Sequence, residues 1–302
     1  MTLPNFLIVG ASKAGTTSIY RHLKEHPDIY MPNHKEPLYF ISDIYNEFNV
    51  KDPGYKAIRN KMVQTREAYE KLFNMGQAFS WRGEATASYL YYSKDAIPKI
   101  KETLGGDIRI IIVLREPVDK VISHYKFYRG NGFEKYSFEK ALLKEEERIN
   151  NRFNPFFHYT KQGFYYEKVK SFVDSFEHTY VCLYEDLKKN PEQFYKELYA
   201  FLDLKPIENI HTSKVYNPSR LHKSFYLFKI YKFFATKTVS FRKKYLGFIN
   251  WSKVRSIVFK INNKKRLVVP EYLKDSLRQK FHKDVLKLDE LLSLDIKRKW
   301  RY

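Results

Sequence analysis

The stretch that most constrains the fold lies near the start of the chain, at residues 6–20. Four apolar residues at 6–9 predict a buried strand, a loop of small residues follows at 10–15, and a helix is predicted over 16–25, before Pro27. A strand, loop and helix N-terminus in this order bind anions, because the loop amides converge and the helix dipole favours negative charge. The sequence therefore predicts an α/β fold with a phosphate-binding loop.

This loop departs from the loop that binds nucleoside triphosphates, in which a lysine and then a serine or threonine follow the second glycine. Gly10 and Gly15 have the matching spacing, but Thr16 follows Gly15 and the lysine lies inside the loop as Lys13. Because the lysine that reaches a γ-phosphate is missing, a P-loop kinase for a small molecule is the weaker enzymatic interpretation.

Residues 12–18 (Ser-Lys-Ala-Gly-Thr-Thr-Ser) resemble the 5′-phosphosulfate loop of sulfotransferases that use 3′-phosphoadenosine-5′-phosphosulfate (PAPS). Residues 26–28 (His-Pro-Asp) and 35–40 (Lys-Glu-Pro-Leu-Tyr-Phe) are similar to the carbohydrate and heparan-sulfate-type branch of that family. The resemblance covers most of the chain and is weakest over 45–80 and 225–265. It implies a three-layer α/β sandwich with a central parallel sheet, a P-loop-like phosphosulfate-binding loop and helices on both faces.

The alternation of predicted strands and helices also favours a parallel sheet that binds ligands at the carboxyl ends of its strands. The apolar, β-branched strand at 109–114 is typical of a parallel strand buried on both faces, and Pro117 starts the next helix. Further strands are predicted at 29–31, 79–84 and 179–184, and further helices at 55–75, 94–104, 137–150, 165–176 and 191–202.

The 302 residues are predicted to form one domain, 1–302, with a formal net charge of +21 that attracts polyanions. Within it, 221–266 interleaves lysine and arginine with aromatic residues, which predicts a basic helical region whose partner is an anionic membrane or an acidic glycan. Apolar residues at helical spacing predict that 270–300 is a helix packed on the core. Nucleic acid is not predicted as a partner, because no helix-turn-helix, RNP-type or zinc motif is visible.

The sequence also bears on location and metal content. No leader with a charged and then an apolar region precedes the first strand, and no apolar run approaches about 18–20 residues, so we expect a cytoplasmic protein. The basic region at 221–266 leaves a peripheral contact with a membrane open. The single cysteine, Cys182, lies in an apolar run and predicts a buried core residue. No cluster of His, Cys or acidic residues has the spacing of metal ligands, and the resemblance implies that no metal is needed.

The resemblance assigns the residues that bind the donor. It places Lys13 at the oxygen that bridges phosphorus and sulfur in PAPS, where its charge offsets the charge that develops as the S–O bond breaks. Arg115, at the end of a strand, and Ser123, eight residues later, resemble the pair of residues that binds the 3′-phosphate in this family. The resemblance adds Arg220 to the same phosphate site. The predicted donor-binding set is Lys13, Ala14, Gly15, Thr16, Thr17, Ser18, Arg115, Ser123 and Arg220.

The resemblance also assigns the acceptor side, with Glu36 as the base that removes the proton of the acceptor hydroxyl. His34 and His124 are the alternative bases, and Glu84, His34 and Tyr165 are predicted to face the acceptor. Glu84 belongs to residues 83–89, which look like the family's Glu-Lys-Thr-Pro-x-Tyr segment but carry alanine in place of its lysine and proline.

The leading interpretation is therefore a sulfotransferase that moves a sulfuryl group from PAPS to a hydroxyl of a carbohydrate or glycoconjugate and releases 3′-phosphoadenosine-5′-phosphate (PAP). A lipid, tyrosyl or small-molecule hydroxyl stays open as the acceptor. A small-molecule kinase and a basic nucleic-acid-binding protein are the alternatives from other classes.

Overall fold

Five parallel strands form a single sheet in the order β2-β3-β1-β4-β5, with helices on both faces. The computed structural model describes residues 2–207, 225–227 and 267–302. Its strands are β1 (Phe6–Gly10), β2 (Ile29–Tyr30), β3 (Trp81–Ala85), β4 (Arg109–Leu114) and β5 (Thr179–Leu183). The predicted fold class is confirmed.

The helices of the described residues follow the strands in the alternating order that the sequence predicts. They are α1 (Thr16–Leu23), α2 (Ser42–Asn46), α3 (Tyr55–Arg59), α4 (Arg66–Lys71), α5 (Ser93–Leu104), α6 (Pro117–Gly130), α7 (Phe138–Leu143), α8 (Glu145–Asn150), α9 (Tyr166–Ser175), α10 (Tyr184–Lys189), α11 (Pro191–Phe201), α12 (Glu271–Leu292) and α13 (Ile296–Trp300). Short 3₁₀ turns lie at Tyr39–Ile41, Asn74–Gly76, Pro155–Phe157 and Lys161–Gly163.

The core of the sheet is β1 and β4, whose apolar side chains are fully buried from Phe6 to Val9 and from Ile110 to Leu114. Burial of one such side chain contributes about 1.5–3 kcal/mol to folding, so these strands hold the layers together. β1 pairs with β3 on one side and with β4 on the other. The strand order therefore reverses at β1, and parallel sheets bind ligands at the carboxyl edge of such a reversal.

Two predicted helices are interrupted in the structure. The helix predicted over 55–75 is split into α3 and α4, because the amide of Val63 donates to the carbonyl of Pro37 at 2.8 Å instead of continuing a helix. Thr65 then caps α4 through its side chain, which accepts from the amide of Ala68. The helix predicted over 137–150 is likewise divided into α7 and α8 at Lys144.

The C-terminal part packs on the sheet domain but is not one continuous helix. α12 buries Leu277, Phe281, Val285 and Leu288 and ends at Ser293, whose φ of 52° is left-handed, before α13 begins. The ring of Phe281 fits against Gly163, where an added Cβ would lie only 2.7 Å from it. No helix among the described residues is long and apolar enough to cross a membrane. The basic region predicted at 221–266 lies outside the described residues except for 225–227.

Candidate functional site

A cleft of about 850 Å³ opens at the carboxyl edge of the sheet, beside β1 and β4. Three segments that are distant in the sequence meet there: the loop after β1, the loop after β2, and the start of α6. Its described lining includes Ser12, Lys13, Gly15, Thr16, Thr17, Ser18, Arg21, Asn33, Lys35, Glu36, Lys61, Arg115, Asp119, Ser123, Lys126, Phe127 and Tyr184. The predicted phosphate loop, strand-end arginine and base therefore share one cleft.

The loop after β1 is shaped by two left-handed residues. Gly15 has a φ of 94° and precedes α1, and an added Cβ would lie 2.9 Å from Cδ2 of Tyr184. Lys13 has a φ of 68°, which is uncommon for a residue with a side chain. The amides of the first turn of α1 have no partner within the helix, so the loop presents donors and a positive dipole end to the cleft.

The side chain of Lys13 is held without a carboxylate partner. Its Nζ lies 4.0 Å from the centre of the Phe127 ring, and no described Asp or Glu forms an ion pair with it. Burial, and then repulsion by Arg115 and Lys35, lowers the pKa of Lys13 to about 8. A cation in this position gains from an anionic ligand, because the negative charge of the ligand offsets both the cost of burial and the repulsion.

Arg115 leaves β4 and turns into the same cleft. Its Nη1 donates to the carbonyl of Lys13 at 3.3 Å, its guanidinium lies over Tyr184 at 4.8 Å, and its ion pair with Asp119 is long, at 3.5 Å. Its Nε is buried without a hydrogen-bond partner. The guanidinium is therefore well oriented but incompletely satisfied, which fits a site that awaits a bidentate anion.

The residues that follow Arg115 fix the start of α6, and Ser123 lines the cleft from that helix. Glu116 caps α6 by accepting from the amides of Val118 and Asp119. The C-terminal residue Tyr302 donates to Glu116 Oε1 at 2.9 Å. The amides of Val118 and Asp119 are thus already capped and are not free to bind a ligand.

Glu36 lies in the loop after β2 with both carboxylate oxygens engaged. Oε2 accepts from the amide of Ala87 at 3.0 Å, and Oε1 forms an ion pair with Nζ of Lys35 at 2.5 Å. Its own amide donates to the carbonyl of Ala85 at 3.1 Å, and its φ is 62°. The carboxylate is therefore held in place by the segment that follows β3, and Glu36 lines the same cleft as Lys13.

Two residues predicted to face the acceptor are turned into the core instead. Glu84 is buried, its Oε2 accepts from the hydroxyls of Tyr69 and Tyr89 at 2.9 and 3.1 Å, and burial raises its pKa to about 7. Tyr165 is fully buried, and its hydroxyl donates to the carbonyl of Arg115 at 3.0 Å. Neither residue lines the cleft, because the Glu84 carboxylate points into the core and the Tyr165 hydroxyl is bound to the backbone of Arg115.

The two histidines considered as bases also lie outside the lining of the cleft. Nε2 of His34 is 2.6 Å from the carbonyl of Lys61. His124 is fully buried with neither ring nitrogen hydrogen-bonded, and burial lowers its pKa well below the usual value.

Two residues of the predicted donor-binding set have no side chain placed in the cleft. Ala14 is buried in the loop after β1, so it can offer only its backbone to a ligand. Arg220 lies outside the described residues.

Several lining residues were missed by sequence reasoning. Lys35 adjoins Glu36 within the segment 35–40, so its position beside the predicted base is a signal that the sequence carries. Phe127 and Tyr184 carry no local signal, because ring contacts with Lys13 and Arg115 arise only when α6 and α10 pack beside the loop.

Comparisons with known proteins agree with this geometry. Residues 4–208 match the model of the sulfotransferase family. The crystal structure of a sulfotransferase from Alicyclobacillus acidocaldarius is 32% identical, covers 80% of this chain and 96% of its own, and superposes with a TM-score of 0.66.

Two curated relatives match parts of the chain. The membrane-associated sulfotransferase kil1 of Dictyostelium discoideum is 31% identical over 158 residues, which are 49% of this chain and 29% of that protein. The bifunctional heparan sulfate N-deacetylase/N-sulfotransferase of Drosophila melanogaster is 23% identical over 68% of this chain and 20% of its own length. The chain thus spans less than a third of each. With two thirds of its length matched by one family model, the chain belongs to the sulfotransferase family, whose members are transferases of the EC 2.8.2 type.

Proposed function

We propose that this protein transfers a sulfuryl group from PAPS to a hydroxyl group of a carbohydrate or glycoconjugate and releases PAP. The observation that carries the proposal is the convergence of the Lys13 loop and Arg115, whose Nη1 lies 3.3 Å from the carbonyl of Lys13. This contact brings the cations of the loop and of the strand end into a single cleft. Family membership supports PAPS as the donor.

The residues present fit such a donor. Arg115, with its unpartnered Nε, and Ser123 would hold the 3′-phosphate, and the loop amides with the hydroxyls of Thr16, Thr17 and Ser18 would hold the 5′-phosphate. PAPS supplies the activated sulfuryl group. Lys13 would place its ammonium where negative charge grows on the leaving phosphate oxygen, and Glu36 would accept the proton of the attacking hydroxyl.

Retention on immobilised 3′,5′-ADP tests the donor assignment against the two alternative functions. We expect the protein to be retained and to be eluted by PAP, but not by ATP or by DNA at equal concentration. A small-molecule kinase would be released by ATP, and a nucleic-acid-binding protein by DNA. Transfer of labelled sulfate from PAPS to oligosaccharides, glycolipids and tyrosine peptides then identifies the acceptor.

Arg115→Ala is expected to weaken PAP binding by about 2–5 kcal/mol, because it leaves a buried phosphate charge without its hydrogen-bonded partner. Titration calorimetry with PAP measures this change. Arg66→Ala, which removes an exposed arginine paired with Glu70, is the control and should leave the affinity unchanged. Equal PAP affinity in Arg115→Ala and the unmodified protein would place the 3′-phosphate elsewhere.

The pH dependence of kcat/KM is expected to show a decline as the pH rises past about 8. This parameter reports ionisations of the free enzyme, where Lys13 has a pKa of about 8 and must be protonated to act. The groups that lower this pKa by their charge are Arg115 and Lys35. In Lys13→Arg the guanidinium stays charged, so the residual activity should persist to higher pH. An unchanged alkaline limb in Lys13→Arg would assign the ionisation to another group.

A further inference from the structure

One wall of the cleft is aromatic. Tyr128 stacks on Phe156 with ring centroids 5.3 Å apart and contacts Phe133 at 5.2 Å, and all three residues line the cleft. We call these three residues the aromatic wall. Phe133 and Phe156 are half-buried, so parts of both rings remain open to the cleft. Aromatic faces of this kind bind apolar or ring-shaped groups.

A buried polar network holds the aromatic wall in place. The hydroxyl of Tyr128 donates to Oδ1 of Asn154 at 3.0 Å, and the amide and side chain of Asn154 donate to Oδ2 of Asp52 at 2.6 and 2.5 Å. Gly54 packs against Tyr128 so closely that an added Cβ would lie 2.9 Å from its hydroxyl. The wall is therefore preorganised, which reduces the entropic cost of binding a ligand there.

The lining around Glu36 contributes apolar surface and one closed ion pair. Ile58, one turn after Gly54, and Leu38, two residues after Glu36, add apolar surface to the lining. Lys35 and Glu36 neutralise each other through their 2.5 Å ion pair. The volume of about 850 Å³ lies within the range of sites for small molecules.

The charge of the whole cleft matches that of the donor. Six cationic and two acidic side chains line it among the described residues, a net of four positive charges. PAPS and PAP each carry about four negative charges at neutral pH, since a phosphate monoester carries about two. With the donor bound, the described lining has no surplus positive charge to offset an anionic acceptor.

We infer that the acceptor is an uncharged hydroxyl compound with an apolar face, such as a glycoside of a neutral sugar with an alkyl or aryl aglycone, bound against the aromatic wall. This inference rests on the proposed function. It narrows the acceptor to neutral glycoconjugates: among the described residues that line the cleft, the positive charge is matched by that of the donor, so a carboxylate or sulfate near the reacting hydroxyl would lack a compensating cation there.

The test compares octyl β-D-glucuronide with its methyl ester, which removes the negative charge and adds only one methyl group. Titration calorimetry on the PAP-saturated protein should show the ester binding roughly tenfold or more tightly than the glucuronide. Equal or tighter binding of the glucuronide, or no binding of the ester, would overturn the inference. A protein that does not bind PAP would contradict the proposed function itself. That failure is therefore distinguishable from a failure of the inference about the acceptor.

Variants of the aromatic wall and of Ile58 provide the second measurement. Phe156→Ala and Ile58→Ala should each weaken binding of the ester by about tenfold, through loss of apolar contact, while leaving PAP affinity unchanged. Met75→Ala, which truncates an apolar side chain that is 81% exposed, is the control and should change neither affinity. Unaltered ester binding in both Phe156→Ala and Ile58→Ala would contradict the assignment of the aromatic wall to the acceptor.

Discussion

Lys13→Ala is expected to lower kcat by about 10²-fold or more while changing PAP affinity far less. Negative charge grows on the bridging oxygen as its bond to sulfur breaks, so the ammonium of Lys13 stabilises the transition state more than the bound donor. An interaction that is strongest in the transition state raises kcat. Because burial has already desolvated Lys13, its charge acts through a medium that screens it weakly. Single-turnover kinetics together with PAP calorimetry separate the two effects.

The matched control for Lys13→Ala is Lys99→Ala. Lys99 forms a 2.5 Å ion pair with Asp43 at the surface and does not line the cleft, so kcat should stay at the level of the unmodified protein. Unchanged turnover in Lys13→Ala would remove Lys13 from the chemistry. A loss confined to PAP affinity would make it a donor-binding residue only.

Glu36→Gln is expected to lower the rate of transfer by roughly 10²–10⁴-fold, because it removes the base and keeps its shape. The glutamine oxygen can still accept from the amide of Ala87, so the loop should keep its conformation. PAP affinity should remain near that of the unmodified protein. The measurement is transfer of labelled sulfate under single-turnover conditions, with bound PAP determined in parallel.

Glu271→Gln, an exposed substitution on α12, controls for Glu36→Gln and should be fully active. Full activity of Glu36→Gln would show that another group removes the proton. His34→Ala and His124→Ala would then be compared, although His34 contacts the backbone of Lys61 and His124 is fully buried.

The sheet and the loop after β1 were predictable because their signals are local. The apolar run at 110–114 specifies a buried parallel strand, and Arg115 follows at its carboxyl edge. The glycine, lysine and hydroxyl residues of the loop after β1 lie within a few positions of one another. For the sheet and the loop after β1, the order of residues in the sequence is enough to predict which side chains lie at the carboxyl edge of the sheet.

The differences between the sequence-based predictions and the structure arise from contacts between segments that are distant in the sequence. The break between α3 and α4 depends on the bond from Val63 to the carbonyl of Pro37, which no local pattern indicates. Glu84 turns inward because the hydroxyls of Tyr69 and Tyr89 meet it there. The aromatic wall likewise forms only when the Pro155–Phe157 turn packs on α6.

The central claim is that the cleft recognises a nucleotide through both a 5′-phosphate and a 3′-phosphate. Titration calorimetry of the full chain with PAP, 5′-AMP and Mg²⁺–ATP tests it without knowledge of the acceptor. We predict that PAP, without added metal, binds at least about 30-fold more tightly than either of the others, since each lacks the phosphate that Arg115 would hold. Binding of 5′-AMP or Mg²⁺–ATP as tight as that of PAP would contradict the account.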